Sequence, residues 1–174
     1  MVDRLNTRNM LRRRHYVIVG NNYACMLCQN PPEETIEHLF FACPFSQRCW
    51  DKVGMLWLAL GNRVSLLHGG RETWRQPLFM DIFLMAAWSL WTERNNKHFR
   101  GICPSTASWL ARFREDFSLL QYRVKEVHKT TVTTFCNSLA WSHFPIFCSV
   151  YWCSDSLQHP SLLSGVMEGQ HLVT

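Results

Sequence analysis

Four potential metal ligands fall within 19 positions of this chain, spaced Cys25-x2-Cys28-x9-His38-x4-Cys43. Two cysteines separated by two residues can turn both thiolates toward one ion, and zinc then needs two further ligands to complete a tetrahedron. His38 and Cys43 supply them only if the chain turns between them, because five residues along a continuous helix rotate the second side chain off the first one's face. Pro44 permits that turn, since the residue before a proline is pushed out of helical geometry. The expectation is one structural Zn2+ held by Cys25, Cys28, His38 and Cys43. Four protein ligands leave no open position for water, so a catalytic zinc is not expected. A redox role for Cys25 and Cys28 would call for a strand–helix–strand surround, which the sequence lacks. Cys49 is a spare ligand in principle, but beside Trp50 on an apolar face it reads as core.

The compartment follows from the other cysteines and the N-terminus. MVDRLNTRNMLRRRHY contains no apolar signal-peptide region, so an intracellular location, nuclear or cytoplasmic, is expected. In a reducing compartment clustered cysteines bind metal more often than they pair. Cys103, Cys136, Cys148 and Cys153 have no ligand-like spacing and read as free thiols.

Charge is unevenly spread. Residues 1–20 hold five Arg against Asp3 alone, giving +4, and residues 92–129 hold eight basic against four acidic groups, again +4. Between them, five basic and six acidic groups give −1, and residues 130–174 carry only Asp155 and Glu168. Two basic segments flanking a neutral middle suit a phosphate backbone, and equally suit an ordinary solvated surface.

Periodicity places mostly helices. Thr7 can cap a short helix to about Arg14, and His15 to Val19 reads as a short strand or extended lead-in. Thr35, after Glu33 and Glu34, begins a helix to about Phe41. Pro44 stops that helix and starts the next, which runs to about Leu60 with Phe45, Cys49, Trp50, Val53 and Trp57 as its apolar face. The Gly-rich stretch after it reads as a loop. Leu78 to about Phe99 reads as a core helix, and Trp109, Phe113, Phe117, Leu120 and Val124 recur on a final amphipathic helix. With eight Trp and eleven Phe in 174 residues, few helices are needed to bury a large aromatic area.

The predicted fold is therefore mainly α: a small zinc-stabilised helical module followed by two longer amphipathic helices and a poorly ordered tail. The boundaries fall at residues 1–60 for the zinc module, 61–77 for a loop, 78–129 for the helical extension and 130–174 for the tail. The tail is uncharged as far as Asp155, but Asn137, His143 and repeated Ser and Thr make it a poor membrane span.

The runs DRLNTRNMLRRRH, ACMLC, EETIEHLFFACPFSQRCW and WSLWTERNNKHF resemble the zinc-binding domain of plant non-long-terminal-repeat retrotransposon reverse transcriptases. The motif falls on Cys25, Cys28, Glu34-Thr35, Glu37-His38-Leu39-Phe40 and Cys43-Pro44. The likeness is close over residues 1 to about 60. It is looser from 78 to 128, where it rests on Trp88, Trp91, Glu93-Arg94-Asn95 and Phe99. In that family the module follows the polymerase, whose paired-aspartate active site has no counterpart here. The chain resembles a detached fragment, and no enzymatic activity is expected.

The expected function is non-specific binding of RNA or DNA. Arg8, Arg12, Arg13 and Arg14 would face phosphates, with Tyr16 or Tyr23 available to stack on a base. The alternatives are a protein-interaction module, docking on another retroelement protein, and a non-functional remnant of an element. No membrane partner is expected.

Overall fold

The computed structural model describes residues 5–28, 31–57, 63–75 and 77–140. The architecture is mainly α, with no strand among the described residues and one antiparallel bridge between Ala24 and Glu33. The helices are α1 (Arg8–Arg13), α2 (Pro44–Lys52), α3 (Arg63–Thr73), α4 (Phe79–Arg100), α5 (Thr106–Ser118) and α6 (Glu126–Ala140). Short turns of 3-10 helix cover Val19–Asn21 and Leu119–Tyr122, and a π-helical turn covers His38–Ala42.

Local signals account for several element ends. Thr7 accepts a hydrogen bond from the Met10 N–H at 3.3 Å, capping α1. Ser105 caps α5 by accepting from the Ser108 N–H at 3.0 Å. Gly101 ends α4 in the left-handed region, at φ +65°, where a side chain would be strained.

The core is aromatic and is shared by the zinc module and the extension. Trp50 of α2 stacks on Phe83 of α4 with ring centroids 5.6 Å apart, and Phe41 and Trp57 close around the same ring. Two buried indole N–H groups find carbonyls, Trp50 donating to Phe40 at 2.6 Å and Trp109 to Ala86 at 3.1 Å, while that of Trp57 has no partner among the described residues. α5 lies between α4 and α6, and α2 packs on both α4 and α5. The apolar stripe expected on α5 is present, with Trp109, Phe113 and Phe117 fully buried.

Several expectations are corrected. Of the two readings of residues 15–19 the lead-in holds rather than the strand: Tyr16 to Ile18 run into the 3-10 turn, Ile18 extended at φ −97° and ψ 144°, after His15 turns the chain at φ +60°. The helix after Pro44 ends at Lys52, because the chain turns at Val53 and Gly54. The segment 61–77 contains α3 rather than only a loop. The final helix breaks after Ser118, and the chain past Lys129 continues as α6, with Val132 and Leu139 buried. Residues 141–174, where the rest of the expected tail falls, lie outside the described residues. Cys136 is a free thiol, whereas Cys103 is disulfide-bonded rather than free.

Candidate metal centre

The cysteine knuckle is built on the Ala24–Glu33 bridge. Cys25 N–H donates to Pro32 O and Glu34 N–H donates to Tyr23 O, both at 2.9 Å. These bonds return the chain beneath Cys25 after its excursion through Cys28. Leu27, with no exposed surface, is driven into the core, and its N–H points at Cys25 Sγ at 3.4 Å.

The second pair of ligands comes from the turn that follows. Thr35 Oγ1 accepts from the His38 N–H at 3.0 Å, starting the turn as its position after two glutamates implied. The turn then widens: Cys43 N–H donates to His38 O at 2.7 Å, an i→i+5 closure. Residues five apart are thereby brought one turn apart, which a regular α-helix would not do. Cys43 itself is extended, at φ −64° and ψ 128°, and Pro44 opens α2 immediately after it. Ser46 Oγ donates to Leu39 O at 2.6 Å, satisfying a buried carbonyl of the turn.

One donor atom from each of Cys25, Cys28, His38 and Cys43 lies within 4.8 Å of every other. Cys25 Sγ is 3.9 Å from Cys43 Sγ, and Cys28 Sγ is 3.4 Å from His38 Nε2. A zinc tetrahedron with Zn–S of about 2.3 Å and Zn–N of about 2.0 Å has edges of about 3.8 and 3.5 Å. Donor set and spacing therefore fit a zinc-type site of the closed kind. Cys49 is buried on the inner face of α2 and is not among the converging residues.

The electrostatics of the three thiols agree. The hydrogen bond that Cys25 donates to Cys43, then burial, pushes the Cys25 thiol up. The same bond, opposed by burial and helped by His38 and the N–H groups of Ser46 and Phe45, pulls Cys43 down to about 4. Burial, ahead of the Cys43 charge, pushes Cys28 up to about 11. Three sulfurs this close do not ionise together unaided, and a divalent cation held by them would supply the charge that lets them.

The arginines are not one surface. Arg8 is turned inward: its guanidinium donates to Asn22 O at 3.0 Å and to Ala24 O at 3.2 Å, holding the chain that leads into Cys25. Burial, the largest cause, lowers its pKa. Arg12 is exposed but pairs with Glu33, Nε to Oε1 at 2.9 Å, and its guanidinium lies 5.9 Å from the Tyr23 ring centre. Tyr23 is half-buried and donates its hydroxyl to Tyr16 O at 3.1 Å. Arg13, Arg14 and Tyr16 are exposed, and Arg14 donates to Asn6 Oδ1 at 3.1 Å.

One buried ion pair carried no role in the sequence reading. Glu34, between the knuckle and His38, is fully buried against Arg94 of α4, with Nη2 to Oε1 at 2.7 Å. The signal was available. Phe83, Ala87, Leu90 and Arg94 follow each other at spacings of four, three and four, so a charge continues the buried stripe of α4.

Residues 1–50 match the family model described as zinc-binding in reverse transcriptase. The match spans all four ligands and supports a reverse transcriptase zinc-binding domain over that stretch. α3 to α6 lie outside it. No curated protein and no solved structure matches the chain. Among the described residues, no helix is long and apolar enough to cross a membrane.

Proposed function

We propose that this reverse-transcriptase-type zinc module binds single-stranded RNA or DNA through phosphate contacts, without sequence preference and without catalysis, as part of a plant retrotransposon-derived protein. The observation that supports it is the mounting of α1. Arg8 and Glu34 fix the start of that helix to the metal loop, and Arg13 and Arg14 stand exposed at its far end. A metal-dependent scaffold thus presents cations in a set position, and phosphate contacts of this kind are indifferent to base identity. The donor set supports a structural rather than a Lewis-acid role for the ion, because the protein fills all four positions.

The test is fluorescence anisotropy of the full chain with a labelled oligo-deoxythymidine strand over a salt series. Each phosphate contact contributes a slope of about −0.7 in log affinity against log salt, so replacing Arg13 and Arg14 by Ala should flatten it by about 1.4. Zinc content should be unchanged. Salt-independent binding would sink the reading.

A second reading, a protein-docking module, is favoured by one observation. Leu84, Met85 and Trp88 of α4 with Leu119 and Leu120 line most of a groove of about 350 Å³ that Asp116 and Arg123 complete, and Trp88 is 60% exposed. An apolar interface there would weaken little with added salt.

A further inference from the structure

α4 is apolar on more sides than the core uses. From Phe79 to Trp91 its only charged or hydroxyl side chains are Asp81 and Ser89. Ile82, Phe83, Ala86 and Leu90 are buried, whereas Met80, Leu84 and Trp88 repeat every four residues along a face left to solvent. A helix apolar all round is ordinarily covered all round. This face of α4 forms one wall of the groove, and Leu119 and Leu120 stand on the other. Leu84, Trp88 and Leu119 are each more than half exposed, and the more buried Met85 and Leu120 make the floor.

The second wall carries charge at its two ends. Asp116, Leu119, Leu120 and Arg123 follow at spacings of three, one and three, and all four line the groove. They form a ridge with an apolar middle, an acid at one end and a base at the other. α5 ends at Ser118, but the 3-10 turn Leu119–Tyr122 continues the ridge, and the Arg123 N–H donates to Leu120 O at 2.9 Å. Neither Asp116 nor Arg123 forms an ion pair with another described residue. A ridge of this pattern complements itself when turned through half a revolution: acid falls on base, base on acid, and apolar middle on apolar middle. That is what an isologous twofold interface requires. An unrelated partner would have to carry the reverse pattern, and a second copy carries it already.

We propose that a second copy of this chain occupies the groove. The two 116–123 ridges would cross antiparallel about a twofold axis, Asp116 of each meeting Arg123 of the other, with Trp88 and Leu119 packed between. This rests on the docking reading above, whose partner it names, and is independent of the nucleic-acid reading.

The experiment is sedimentation velocity of the full, zinc-loaded chain. Over roughly 1–100 µM it should show a monomer–dimer equilibrium, as expected of a small interface. Asp116→Lys alone and Arg123→Glu alone each turn two symmetry-related attractions into repulsions, and should raise the dimer Kd about a hundred-fold or more. Mixed one to one, the two variants should associate with each other about as tightly as the parent does with itself, because opposite charges then face across both contacts. Misfolded variants would not regain association on mixing. A parent dimer that either single variant leaves intact would overturn the inference, as would variants that stay apart when mixed. A parent chain that remains monomeric throughout would overturn it too, and 8-anilinonaphthalene-1-sulfonate then separates the two readings. Dye binding by that monomer that Leu119→Asp abolishes would leave the groove as a site for another protein. Absence of such binding would remove the docking reading as well.

Discussion

Glu34 and Arg94, sixty positions apart, form a buried ion pair in which the guanidinium reaches Oε1 through Nη2 at 2.7 Å and through Nε at 3.1 Å. The arginine also lies 5.1 Å from the centre of the Trp91 ring and donates to Asn95 Oδ1 at 3.1 Å. Glu34 accepts in addition from the Arg8 N–H. One carboxylate thus ties together α1, the loop between Cys28 and His38, and α4. Removing either partner leaves a buried charge without its counter-charge. Glu34→Ala and Arg94→Ala should each destabilise by about 3–5 kcal/mol. Chemical denaturation of the single and double variants is the check. The double variant should fall short of the summed losses by about 1–3 kcal/mol, and strict additivity would mean the pair does not act as a unit.

The metal site yields a sharper discrimination among cysteines. One zinc per chain should copurify, and Cys25→Ser, Cys43→Ser or His38→Ala should release it. Cys49→Ser should retain it, since Cys49 is outside the converging set. Structural zinc contributes on the order of 10 kcal/mol in finger peptides, so chelation should unfold the first 57 residues. Metal analysis with amide exchange reads both effects, and a chain that keeps its fold in chelator would contradict the assignment.

Where the sequence reading succeeded, the cause of the structure was local. Pro44 acting on Cys43, Thr7 capping α1 and the bounds of α4 each depend on residues within a few positions. The partners it missed lay far along the chain. Nothing near Arg8 shows that its guanidinium is used by carbonyls 14 and 16 residues away, so it read as one more surface cation. Arg12, paired with Glu33 21 positions on, was hidden in the same way. The ligand set was legible because metal geometry restricts spacing; the Glu34–Arg94 junction was visible only as letters in a motif.

α6 was obscured differently. Its anchors Val132, Phe135 and Leu139 keep helical spacing, but the Thr residues between them have modest helix propensity and masked the period. The Phe135 ring meets Phe117 at 5.2 Å and Trp74 at 5.9 Å, bridging α5 to the chain after α3. Truncation after Lys129 should therefore destabilise the protein rather than leave it unchanged. Phe135→Ala alone should cost about 3 kcal/mol, the lower end for a large aromatic because the ring is only half-buried. Thermal unfolding of both variants measures this, and an unaltered midpoint in the truncated chain would show that α6 contributes no packing.

Gly69 and Gly70 made α3 look like a loop, and only one of them is there for a tertiary reason. A Cβ on Gly70 would come within 2.5 Å of the Trp57 ring, whereas one on Gly69 would meet nothing within 4 Å. Trp57 is pinned among Phe41, Trp50, Phe79 and Phe83, so it cannot retreat without disturbing the aromatic core. Gly70→Ala should destabilise by about 1–3 kcal/mol through overpacking. Gly69→Ala should stabilise by up to about 1 kcal/mol, because Ala favours the helix and restricts the unfolded chain. Denaturant midpoints of the two single variants, one residue apart and opposite in sign, give the test. If both stabilise, Trp57 does not lie against α3. If both destabilise, residue 69 is not in a helix.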